Sequence, residues 1–115
     1  MKNNQNGIKE FKDLVLCDYS DKSISIHVRA SLENGKLIIS GDDIGDSVQD
    51  FWTDDDYEYW YELDEEGTQK LLKVINGLDH PVEAIKREFS GTDGCKRFRE
   101  ICEENRIPYG FHSYA

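Results

Sequence analysis

Ile24-Ser25-Ile26-His27-Val28-Arg29-Ala30-Ser31-Leu32-Glu33-Asn34-Gly35-Lys36-Leu37-Ile38-Ile39-Ser40 is the stretch that decides the fold. Ile24, Ile26, Val28 and Ala30 alternate with Ser25, His27, Arg29 and Ser31, the period of two that gives a strand one apolar and one wet face. Asn34-Gly35 then supplies two residues that tolerate positive φ, as a type I′ turn requires, and Lys36 to Ser40 returns as a second strand. The stretch is a β-hairpin.

Upstream, Leu14-Val15-Leu16-Cys17 within Phe11 to Tyr19 suggests a further strand, and the polar Met1 to Gly7 is expected to fray. Downstream, Gly41 to Asp56 has no clear period. It carries two glycines and many aspartates and reads as a loop, with room for one helical turn around Ser47 to Phe51. Tyr57 to Leu63 is again strand-like and rich in aromatics. Tyr57, Tyr59, Tyr61 and Leu63 share one face and Glu58, Trp60 and Glu62 the other, and alternation alone leaves open which face meets the core.

After that strand the period becomes helical. Asp64 is placed to cap a helix, with Glu65 and Glu66 beside its positive N-terminal end. Leu71, Leu72, Ile75 and Leu78 form the stripe of that helix, and Asn76-Gly77 gives its stop. Pro81 starts a second helix, where a missing N–H costs nothing; Val82, Ile85 and Phe89 face inward and Ser90-Gly91 ends it. A third helix runs from Thr92 or Asp93 to Asn105 with Cys95, Phe98, Ile101 and Cys102 inward. Pro108 blocks its continuation, and Tyr109 to Tyr114 is a candidate closing strand. Strands followed by helices imply an α+β fold: an antiparallel sheet of four to five strands with about three helices on one face. At 115 residues this is a single domain spanning 1–115.

Charge narrows the function. Asp and Glu number 24 against 14 Lys and Arg, for a net charge of −10. Nucleic-acid phosphates and anionic membrane surfaces are repelled by such a chain, whereas a basic partner is attracted. Lys86, Arg87, Lys96, Arg97 and Arg99 are offset by Glu83, Glu88, Glu100, Glu103 and Glu104, a solvated pattern with i,i+4 pairs such as Glu83–Arg87. No apolar run approaches the ~20 residues of a membrane span, and no apolar stretch follows the start, so a cytoplasmic protein is expected. Cys17, Cys95 and Cys102 are odd in number and lack C-x-x-C spacing, which speaks against a disulfide framework or a zinc site and for a reducing compartment.

The charge is concentrated. No Lys or Arg lies between Lys36 and Lys70, and that gap holds Asp42, Asp43, Asp46, Asp50, Asp54, Asp55, Asp56, Glu58, Glu62, Asp64, Glu65 and Glu66. These are half of the chain's acids, and the remaining acids are outnumbered by the bases. The same gap holds both tryptophans, Trp52 and Trp60, with Phe51, Tyr57, Tyr59 and Tyr61. Carboxylates steer and pair with a cationic partner, and Tyr and Trp supply the flat contact area of interface hot spots. Asp50, Trp52, Asp54, Asp55, Asp56, Glu58, Trp60 and Glu62 are therefore the candidate partner-binding residues. Loop aspartates, helix capping by Asp64 to Glu66 and a tyrosine core would account for the same residues without any partner.

Chemistry has weaker signals. The EF-hand spacing is absent, so the acids predict no specific metal site. His27, His80 and His112 are scattered, a Cys17–His27 pair would need the fold to bring it together, and no nucleophile, dinucleotide or phosphate-loop motif occurs. Neither a cofactor nor an enzymatic activity is expected.

In size, in the segment Asp54-Asp55-Asp56-Tyr57-Glu58-Tyr59-Trp60 and in its lack of catalytic motifs, the chain resembles the small cytoplasmic immunity proteins of bacterial polymorphic-toxin and contact-dependent inhibition systems. The resemblance implies a protein that binds and blocks one cognate toxin, often a basic nuclease. The alternatives are an accessory or structural domain whose acidity serves solubility, and a small ligand-binding domain or enzyme with a pocket between sheet and helices.

Overall fold

The computed structural model describes residues 9–22, 24–45 and 56–114. Five strands form one antiparallel sheet in the order of the chain: β1 (Phe11–Ser20), β2 (Ile24–Glu33), β3 (Lys36–Gly45), β4 (Asp56–Glu62) and β5 (Gly110–Tyr114). Three helices, α1 (Glu65–Val74), α2 (Pro81–Phe89) and α3 (Gly94–Glu104), lie between β4 and β5 in the chain. The fold is α+β, as the order of periods implies.

The central hairpin has the expected turn. Asn34 and Gly35 take φ of 54° and 78°, the paired positive values that keep the twist of the two strands matched. The strand after it is longer than expected. Gly41 to Gly45 continue β3 and pair with Ile24 to Val28 of β2 instead of forming a loop. The order Gly41-Asp42-Asp43-Ile44-Gly45 hides the period of two, and the ladder offered by the ten-residue β2 overrides the local preference. The helical turn expected around Ser47 to Phe51 lies outside the described residues.

Val28, Ala30, Leu32, Leu37, Ile39, Tyr61 and Leu63 point to one side of the sheet and are buried with Leu71, Leu72, Ile85, Phe89, Phe98 and Cys102 from the helices. All three of these helices therefore cover the same face, which settles the orientation of β4: Tyr59 and Tyr61 go inward and Glu58, Trp60 and Glu62 outward. Fully burying each of the large apolar side chains stabilises the fold by about 1.5–3 kcal/mol.

Local signals fix the helices. The Asp64 Oδ1 accepts the Gly67 N–H at 2.7 Å, and α1 ends at Val74, so Leu78 falls beyond it and is 41% exposed instead of joining its stripe. Among the described residues Thr68 is the one buried polar side chain of the core; its Oγ1 accepts the backbone N–H of Leu37 at 3.0 Å and ties α1 to β3. Arg87 donates to Glu88 and to the carbonyl of Ile75, not to Glu83. Arg99 donates from Nη1 to the Tyr61 hydroxyl at 2.6 Å, holding α3 over β4. The three cysteines are free thiols: Cys17 and Cys102 are buried and Cys95 half-buried. Burial pushes the Cys102 thiol up to about 12.

Candidate functional site

With every described helix on one side, no described helix covers the other side of the sheet. Its side chains are set by cross-strand register in two rows. The first is Val15, Arg29, Ser40, Trp60 and His112; the second is Asp18, His27, Asp42 and Glu58. Ile38 and Glu62 form part of a third row beside the first. The meander is what brings these residues together: β4 pairs with β3, so its acids meet Asp42, and β5 returns beside β4 and sets His112 next to Trp60.

Trp60 is half-buried although it points away from the core. The His112 imidazole stacks on its indole with centroids 5.1 Å apart and an interplanar angle of 20°. His112 Nε2 also lies 3.0 Å from Glu62 Oε1, so Glu62 fixes the imidazole against the indole. On the other side of the face, His27 Nδ1 is 2.9 Å from Asp18 Oδ1. Both histidines are thus engaged by carboxylates on the sheet surface. His27 stands on the face opposite the buried Cys17, so the two form no pair.

Asp42 and Glu58 stand directly opposite each other on β3 and β4. Like charges at such positions are destabilising by a few tenths of a kcal/mol or more. Among the described residues neither carboxylate makes an ion pair or a side-chain hydrogen bond that would offset this. Beside them is a depression of about 260 Å³, lined by His27, Arg29, Ser40, Gly41, Asp42, Glu58, Tyr59 and Trp60. Its cause is local: Ser40 and Gly41 are small, while their cross-strand neighbours are long or aromatic. A second depression, of about 360 Å³, lies at the end of the sheet where β4 enters α1 and α3 enters β5, with Lys36, Glu62 and Tyr109 on its walls.

Gly41 also explains how β3 and β4 pack beneath the face. Tyr59 is its cross-strand partner, and a Cβ at Gly41 would lie 2.5 Å from the Tyr59 Cζ and Oη. The ring therefore crosses over the bare glycine on the helix side, with its hydroxyl 3.8 Å from Cys95 Sγ. Burial raises the phenol pKa well beyond the ordinary range. Asp43 also points inward here: its Oδ1 is buried without a hydrogen-bond partner, and burial first, then the charge of Asp42, raises its carboxyl pKa.

Of the residues singled out from sequence, Glu58, Trp60 and Glu62 come together on this face, with Glu58 and Glu62 exposed. Asp56 opens β4. Asp50, Trp52, Asp54 and Asp55 lie outside the described residues. Sequence reasoning missed Arg29, Ser40, His112 and the pairing of Asp42 with Glu58. The alternation of β2 had already put His27 and Arg29 on a wet face; the missing information was that β4 and β5 extend the same face. Among the described residues no group of three or more His, Cys, Asp and Glu side chains is arranged to hold a metal ion, and no helix is long and apolar enough to cross a membrane. Comparison of the chain with protein-family models, with curated proteins and with solved structures gives no match.

Proposed function

We propose that this chain is a protein-binding inhibitor, an immunity protein acting in the bacterial cytoplasm. Its uncovered sheet face would dock on a basic protein toxin and block its active groove. The observation that carries the reading is the composition of that face: Trp60, stacked with His112, stands among Asp42, Glu58 and Glu62 with no described helix over them. An indole at the centre of a polar rim is the usual form of an interface hot spot. The Asp42 and Glu58 carboxylates would gain on binding what they lose by facing each other in the free protein, and the net charge of −10 would steer a basic partner toward them. Inhibition would require no chemistry, only occupation of a surface that the partner uses for an anionic substrate.

Five strands at ~4.8 Å spacing and about seven residues at ~3.3 Å give a face of roughly 500 Å². A standard interface buries about 800 Å² on each partner, so the docked surface would extend beyond the sheet face.

The test is capture from a bacterial host lysate, followed by an activity assay of the captured protein. The reading predicts a basic protein whose toxic activity stops when this chain is added and returns when Trp60→Ala replaces it. A captured protein inhibited equally well by Trp60→Ala would refute the assignment to this face.

A further inference from the structure

The depression on the uncovered face has a chemistry of its own, and we infer that it is a socket for a single arginine side chain of the docked partner. This rests on the docking reading above and adds the identity of the residue that is read. About 260 Å³ is below the ~300–1,000 Å³ of sites that take small-molecule ligands. It suits one long side chain. Its lining divides into a π wall, a carboxylate pair and a small floor. The wall is Trp60, whose indole is stacked with the His112 imidazole at a centroid distance of 5.1 Å. The pair is Asp42 and Glu58, opposed across β3 and β4 with no cation within 4.0 Å among the described residues. The floor is Ser40 and Gly41, which leave the space open.

A guanidinium fits this set better than an ammonium. It is planar and stacks on an indole, and its fork of N–H donors can serve two carboxylates at once. An ammonium would meet the same charges but would gain less from the flat wall. The backbone around the socket is held by the sheet ladder on both sides of β3, so the positions that carry the two carboxylates stand at fixed separation before any partner arrives.

One lining residue opposes the occupant, and it supplies the sharpest test. Arg29 stands on β2, next to Ser40 in the first cross-strand row, and has no carboxylate within 4.0 Å among the described residues. Its positive charge confines an incoming guanidinium to the β4 side of the depression and weakens its binding. Removing that charge therefore strengthens the site. A role for these residues in stability alone does not predict that sign.

The probe is N-acetyl-arginine amide, titrated into the isotope-labelled protein and followed by the indole N–H of Trp60 and the amides of Gly41 and Glu58. N-acetyl-lysine amide and N-acetyl-citrulline amide serve as the ammonium and uncharged comparisons. Saturable shifts at these three positions are expected, with citrulline weaker by about tenfold or more. Asp42→Asn with Glu58→Gln should weaken arginine by at least about tenfold, and Arg29→Gln should tighten it by severalfold. Absence of saturable shifts, equal binding of citrulline, equal binding of lysine, or weaker binding in Arg29→Gln would overturn the assignment. If a captured partner is lost on Trp60→Ala but keeps its affinity for Asp42→Asn with Glu58→Gln, the docking face stands and the socket does not. If arginine amide binds as described and no basic protein is captured, the socket stands and the inhibitor reading does not.

Discussion

Replacing Gly41 by alanine tests how β3 and β4 are joined beneath the sheet face that carries Trp60. The added Cβ would lie 2.5 Å from the Tyr59 Cζ and Oη and 2.9 Å from Cε1. The ring has little freedom to yield. Tyr61 meets it nearly edge-on with centroids 6.1 Å apart, Phe111 lies 6.4 Å away, and the hydroxyl sits against Cys95. Overpacking of this kind costs about 1–3 kcal/mol. Against it, alanine in an extended strand position is favoured over glycine by roughly 0.5–1 kcal/mol, because it loses less backbone freedom on folding. The backbone at Gly41 needs no positive φ, so that gain is available. The two contributions leave a net loss of about 0.5–2 kcal/mol. Urea unfolding followed by tryptophan fluorescence should show a lower midpoint with an unchanged slope. The background decides the mechanism. In Tyr59→Val the ring is gone, only the entropic gain remains, and Gly41→Ala should become stabilising by ~0.5–1 kcal/mol. An equal loss in both backgrounds would refute the claim that Gly41 exists to admit the ring.

Other contacts predict changes of known sign. Thr68→Val keeps the shape of the side chain but orphans the buried Leu37 N–H, so it should cost about 1–3 kcal/mol, while Thr68→Ser should cost less; calorimetric melting of the two variants separates them. Asp64→Ala removes the cap of α1 and should lower stability by about 1 kcal/mol in the same assay. Asp43 predicts a pH effect. Its carboxyl pKa is raised in the folded chain, so the folded state binds more protons than the unfolded state between the unfolded and folded pKa values. Its contribution is then greatest below the ordinary carboxylate range and is lost as pH rises through the folded value. Asp43→Asn should remove that part of the pH dependence and stabilise the protein at neutral pH, as read from urea midpoints across pH 4 to 7.

The parts of the fold that could be read from the chain are those with a strong local cause. The Asn34-Gly35 turn, the Asp64 cap and the apolar stripe through Leu71, Leu72 and Ile75 each act within a few residues, and each appears in place. The second half of β3 could not be read, because Gly41, Asp42 and Asp43 have poor strand propensity and are held there by β2 and by the ring of Tyr59. The candidate site was half legible. Alternation put Glu58, Trp60 and Glu62 on one side of β4, but which side met water depended on where the helices packed. His112 was absent from the candidate residues because its only link to Trp60 is a strand pairing across three intervening helices.

The central claim is that the uncovered face, and not the charge of the whole chain, binds a basic protein. The direct measurement is the dissociation constant of the captured partner for two double charge reversals, Glu58→Lys with Glu62→Lys on the sheet face and Glu83→Lys with Glu100→Lys on the exposed sides of α2 and α3. Both change net charge by the same amount, so they share the long-range attraction and differ only in place. The account predicts a loss of about a hundredfold or more for the face pair and only severalfold for the helix pair. Equal losses in the two variants would contradict it and would assign the attraction to net charge alone.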